Sequence, residues 1–292
     1  MEKILVIADS NSGLTQLDAK ELGIEVVPMP FNIDGNEYFE GINLNQEQFF
    51  KFLANDANVS TSQPSVFMIE EMFDEKLLEY DYILYFPMMS SLSGSCESIT
   101  KLSEKYDGKV FVIDNARISA SQKESVYEAL AMIKRGFSVK EIVKYLYDSA
   151  PDAVIYICPD TLKYLKKGGR IKPAAAMLAS ILKIKPLLFT RGEKFECCNK
   201  CRNKAQAMSQ IIKNLKEDLK SEQYSKLHSE GRLTMSVAYT VNKEDAIKMK
   251  EMLLEAFPDI PFRFMDPLSL SISCHIGANA IAAAFVVDSF LD

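Results

Sequence analysis

Histidine is scarce in this chain: only His228 and His275 occur among 292 residues. Two histidines cannot build a His-rich zinc site, and no HExxH segment is present. Nucleotide-binding signatures are missing too. The serine-rich segments of the first half lack the lysine of a Walker A loop, and no GxGxxG follows the first apolar run. Positive charge is not in excess, since 34 Lys and Arg stand against 40 Asp and Glu, a formal net charge of -6. A nucleic-acid partner calls for a clustered basic surface, so that class is set aside. No window reaches the roughly 18 uninterrupted apolar residues of an integral membrane segment. The opening MEKILVIADS is stopped by Asp9 before it attains the length of a signal-peptide core. The six cysteines then read as thiols of a cytoplasmic protein rather than a disulfide framework.

What is present describes a folded α/β protein. Hydrophobic residues make up 48% and charged residues 25%, and the length suits two domains. Apolar runs at 3–8, 24–28, 82–87 and 110–113 alternate with amphipathic stretches near 45–54, 66–80 and 93–106. That alternation predicts a doubly wound, mostly parallel sheet with crossover helices. Thr15 to Asp18 offers a helix start, with Gly23 as its stop. Ser138-Val-Lys-Glu141 is a capping box for a helix to about Ser149, and Ala153 starts a new strand. The domain boundary is expected there, giving 1–152 and 153–292. In the second part, strands at 186–190 and 194–198 flank the turn Arg191-Gly192-Glu193. Further strands fit 233–239, 261–265 and 280–287, with helices near 161–167, 173–183, 203–220 and 243–257. A mixed sheet backed by helices follows.

The candidate site consists of small hydroxyls. Ser60-Thr-Ser-Gln-Pro-Ser65 reads as a strand end leading into a helix. Ser90-Ser-Leu-Ser-Gly-Ser95 follows a strand and precedes another helix, so free N–H groups and the helix dipole favour an anion there. Both are expected outside the carboxyl ends of one open sheet. Simple N-capping explains either segment alone. His228 lies in a polar stretch and reads as a solvated residue. His275, between a strand and the last apolar run, fits a core role as well as a functional one. Cys198 and Cys201 form a single CxxC on a predicted hairpin strand, without the second pair of a zinc site. Lys166-Lys-Gly-Gly-Arg170 reads as helix-end capping.

Taken in order, these segments resemble the DegV family nearly end to end. The matching pattern is Asp9-Ser10, Ser60-Thr61-Ser62-Gln63-Pro64, Ser90-Ser91-Leu92-Ser93-Gly94, Leu165 to Ile171 with Gly168-Gly169-Arg170, Ile184-Lys185-Pro186 and His275-Ile276-Gly277. One departure is Gly277-Ala278-Asn279, where the family usually has Gly-Pro-Gly. The resemblance implies two α/β domains with a long-chain fatty acid between them, and no cofactor, metal or catalytic residue. It implies a carboxylate held by Thr61 and Ser93, with His275, Ser62 and Gly94 beside them. Arg170 is implied as the charge offered to a separate ATP-dependent fatty-acid kinase subunit. Two other readings stand beside it. One is an acyl hydrolase using a Ser93–His275 pair, although the segment is not a GxSxG elbow and no third group orients the histidine. The other is a regulatory α/β protein with a degenerate site.

Overall fold

The computed structural model describes residues 2–177 and 184–290. In chain order the first half contains β1 (Ile4–Asp9), α1 (Gln16–Leu22), β2 (Glu25–Val27), β3 (Pro30–Ile33), β4 (Asn36–Phe39), α2 (Gln46–Ala54), β5 (Val59–Thr61), α3 (Val66–Lys76), β6 (Tyr82–Phe86), α4 (Ser95–Ser103), β7 (Val110–Val112), α5 (Ala120–Lys134) and α6 (Val139–Asp148). The second half adds β8 (Ala153–Cys158), α7 (Lys163–Gly168), α8 (Pro173–Ala176), β9 (Lys185–Thr190), β10 (Glu196–Cys201), α9 (Lys204–Asp218) and α10 (Glu222–Ser229). It ends with β11 (Leu233–Tyr239), α11 (Lys243–Ala256), β12 (Phe262–Pro267), α12 (Leu270–Ile276) and β13 (Ile281–Val287).

The first sheet is parallel, in the order β2-β1-β6-β7. Period-2 alternation splits its side chains between two faces. Ile4, Val6, Leu84 and Phe86 pack with residues of α1, α5 and α6. Leu5, Ile7, Ile83 and Tyr85 pack with residues of α3 and α4. This is the doubly wound layer that the apolar runs predict. Local signals set its helices: Thr15 and Ser138 both close capping boxes, and Gly23 ends α1 in the left-handed region.

The second sheet is mixed, in the order β10-β9-β8-β13-β11-β12, with only β11 and β12 parallel. Its helix-covered face carries Ile281, Ala283, Phe285 and Val287 of β13, packed among residues of α9, α10 and α11. The opposite face carries Ala282 and meets Met89, Leu92 and Ile118 from the first half. The two α/β layers therefore face each other across small side chains.

A third sheet, β4-β3-β5, is antiparallel and was not expected from the sequence. Its signal is the turn Asp34-Gly35, with φ of 51° and 90°, the two left-handed positions of a tight hairpin. Three helices, α5, α10 and α12, are not among those the sequence predicts. The predicted helix over 173–183 is observed for Pro173–Ala176, and residues 178–183 lie outside the described residues. No helix among the described residues is long and apolar enough to cross a membrane.

Candidate functional site

Two chambers abut where the layers meet. The first, about 140 Å³, is bordered by the loop after β5 (Thr61, Ser62, Gln63), the loop before α4 (Leu92 to Ser95), Arg170, and Ser271 and His275 of α12. The second, about 30 Å³, is almost wholly apolar, with Ile155, Ile157, Ala238, Leu268 and Ala282 to Ala284 among its walls. Ile118, Phe195, Ile272 and Ile276 border both. Alternation along β13 explains the space: the large residues Phe285 and Val287 point to the helices, while alanines supply the wall here.

Thr61 and Ser93 reach this chamber from different layers. The sequence places both at one edge of one sheet, but β5 belongs to the third sheet and only the Ser93 loop follows the parallel one. The correction comes from the short Asp34-Gly35 hairpin, which draws β5 into antiparallel pairing with β3. His275 lies between β12 and β13, as the sequence suggests, and a short helix, α12, carries it there. Its Nε2 shares a hydrogen bond of 2.9 Å with Thr61 Oγ1. No hydrogen bond joins Ser93 to His275 among the described residues. Instead Ser93 Oγ accepts from the Ser95 N–H at 3.2 Å.

Electrostatics make His275 a neutral group. Burial, and then the nearby Arg170 cation, hold its imidazole down at about 4. At neutral pH one ring nitrogen donates and the other accepts. So weak a base is poorly suited to activating a serine. Arg170 itself is half-buried: its Nε donates to Leu92 O at 3.1 Å, and its guanidinium also bonds Gly168 O. It borders the chamber rather than standing free at a helix end.

Glycine chemistry fits this arrangement. Gly169 ends α7 in the left-handed region, as the sequence suggests. Gly168 has a separate role, because a Cβ there would lie 2.3 Å from His275 Nδ1. Beyond His275, Gly277 and Asn279 both take positive φ, 81° and 58°. Asparagine tolerates that region, so the departure from Gly-Pro-Gly keeps a left-handed turn.

Ser62 and Gly94 also border the chamber. The sequence reading assigned no role to Ser95. It opens α4, is 1% exposed, and its hydroxyl has no hydrogen-bond partner among the described residues. Gly94 as N-cap offers no side chain, so the first turn of α4 keeps N–H groups available. The chamber thus combines hydroxyls, a helix N-terminus, one guanidinium and a neutral imidazole. That set suits a carboxylate or a similar anion.

The remaining candidates lie elsewhere. Cys198 and Cys201 sit on β10, and burial pushes the Cys198 thiol up to about 12, which argues against a reactive thiolate. No cluster of three metal-ligating side chains occurs among the described residues. His228, on α10, approaches Asp259 at 3.5 Å.

Comparison with known proteins places this geometry. A DegV domain-containing protein of Clostridium perfringens is 30% identical over 296 residues, covering 99% of each chain. A fatty-acid-binding DegV family protein of Thermus thermophilus superposes with a TM-score of 0.89 at 24% identity, covering 98% of this chain and 100% of that one. DegV of Bacillus subtilis, described as a fatty acid binding protein, gives 0.84 at 24% identity, covering 99% and 100%. At these identities the structural likeness establishes the two-domain α/β fold. The family profile described as "uncharacterised protein, DegV family" matches residues 3–288, and this chain belongs to the DegV family.

Proposed function

We propose that this protein binds a long-chain fatty acid, with its carboxylate in the polar chamber and its tail in the apolar one. The observation that carries the proposal is the junction itself. A chamber lined by polar donors shares Ile118, Phe195, Ile272 and Ile276 with a chamber of almost purely apolar walls. Each buried CH₂ contributes about 0.8 kcal/mol, so a long tail supplies most of the affinity. Burying the carboxylate costs several kcal/mol unless donors meet it. Thr61, Ser93, Ser95 and His275, the N–H groups of the first turn of α4 beyond Ser95, and Arg170 are the donors at hand. The apolar chamber is small, so a full-length tail enters by side-chain rearrangement around the shared residues.

The proposal includes a two-domain division near residues 152 and 153, with the ligand between the domains of a cytoplasmic carrier. It also includes presentation of the carboxylate to a separate ATP-dependent kinase subunit, the chain itself performing no chemistry. Half-buried Arg170 at the chamber border supports such a role, because a partner can reach it. The weak basicity of His275 and its bond to Thr61 favour a binding site over a Ser93–His275 hydrolase.

Native mass spectrometry of protein purified from a bacterial host tests this. A co-purifying fatty-acid mass is expected in the wild type, with reduced retention in Thr61→Ala and Ser93→Ala. Arg170→Ala tests the partner role through acyl-phosphate formation with a fatty-acid kinase. Wild-type retention in the Thr61/Ser93 double variant would sink the head-group assignment.

A further inference from the structure

The helix that carries His275 is held by residues far away in the chain. The Leu270 N–H, the first of α12, donates to Glu40 Oε2 at 2.6 Å. The other Glu40 oxygen accepts from Gln46 Nε2, also at 2.6 Å, and that amide donates again to Leu268 O at 3.0 Å. On the opposite side, fully buried Asn11 accepts from the hydroxyls of Ser271 at 2.6 Å and Ser269 at 3.3 Å. Glu40 follows β4 and Gln46 opens α2. The layer that supplies Thr61 through β5 therefore also grips the start of α12.

A carboxylate has a specific advantage at this point. Burial pushes the Glu40 carboxyl above its ordinary range, against the bonds from Leu270 and Gln46. Its two oxygens nevertheless serve two separate donors. A glutamine has only one acceptor oxygen and would turn its own NH₂ toward one of those donors. α12 spans Leu270–Ile276, roughly 10 Å at helical rise. A shift at its start is therefore carried rigidly to His275 in its last turn.

We propose that Glu40 is a positioning residue of the head-group site: its carboxylate fixes the start of α12 and so sets His275 Nε2 within bonding distance of Thr61. The proposal rests on the head-group role given above to His275. It does not depend on which acyl chain is bound.

The test uses the full chain, oleate as probe, and NMR titration of the His275 ring in a His228→Gln background, where it is the sole histidine. Glu40→Gln should fold, weaken oleate binding about tenfold, the loss of one charge-assisted contact, and raise the His275 titration from about 4 toward its ordinary value. Adding Glu40→Gln to His275→Gln should change oleate affinity little, because the positioned group is already gone. Glu40→Asp keeps the charge at shorter reach and should give an intermediate titration; it serves as the variant if Glu40→Gln does not fold. An unmoved His275 titration overturns the proposal, as does an equal loss of affinity with and without His275. If the wild type does not bind oleate, the fatty-acid reading fails, while the NMR arm still decides the role of Glu40.

Discussion

Individual residues of the site divide by how far their chemistry is local. Thr61 and Ser93 are legible because each ends a segment whose sequence alone marks a strand-to-helix passage. His275 stands out only through its rarity and the family pattern, since its helix, Leu270–Ile276, is buried and carries two serines. Glu40 and Asn11 are not legible, because their partners lie 230 and 260 positions away. Gly168 is legible as a glycine but not for its reason. Its backbone φ is not left-handed, and alanine is the better helix former, so only the contact with His275 opposes a side chain. Gly168→Ala should therefore leave thermal stability nearly unchanged. It should displace the imidazole, weaken fatty-acid retention and raise the His275 titration, all measurable by ligand binding and NMR. Unchanged retention with an unmoved ring would remove Gly168 from the site.

Among the elements, the strands of the two larger sheets and most of the amphipathic helices lie where period and punctuation put them, with β3, β4, β5 and α10 the exceptions. α5 shows why a helix of similar length can be missed. Ala120–Lys134 buries Ser121, Gln122, Lys123, Glu124, Ser125 and Glu128, so its first turns carry no hydrophobic stripe and only Val126, Ala129 and Met132 continue one. Tertiary structure answers most of these buried polar groups, while Gln122 Oε1 and Glu124 Oε2 have no hydrogen-bond partner among the described residues. Gln122 donates to Asp9 Oδ1 at 2.9 Å and to Phe86 O at 3.0 Å. Arg117, just before the helix, pairs with Glu128 at 3.2 Å with both side chains fully buried, and bonds Ser125 and Ser149 O. Arg117→Met should leave the buried Glu128 carboxyl without its counter-charge, costing about 3–5 kcal/mol. Replacing both partners by apolar residues of similar volume should recover much of that loss. Urea unfolding of the single and double variants checks this, and equal losses in the two would refute it.

At the scale of the whole molecule, the two halves meet through charge as well as through the chambers. Arg263 of β12 lies 3.2 Å from buried Glu124 of α5 and 3.6 Å from Asp288, while Lys123 pairs with Asp266 at 2.8 Å. Burial, and then the Asp288 carboxyl, push Glu124 up to about 8 against the pull of Arg263, from an ordinary 4.5. The folded protein keeps a proton that the unfolded chain releases. This contribution to stability is complete below pH 4.5 and is lost as pH rises through 8. His275 acts in the opposite sense: its contribution is complete above 6.5 and is lost as pH falls through about 4. Wild-type stability should decline from about pH 7 to about pH 9, where Glu124 alone of the two still titrates. Glu124→Gln should abolish that decline in denaturant titrations, and a persisting decline would place the proton elsewhere. The position of β13 has a last consequence, for the order in which the protein is made. This strand is the last of the six in its sheet to be synthesised, yet it lies between β8 and β11. α12 immediately precedes it, so the His275 helix and the strand that joins the sheet emerge from the ribosome together. Until then β8 and β11 keep open edges, which favour mispairing. The first parallel layer can close long before, and the chamber that His275 borders is complete only once α12 has joined it.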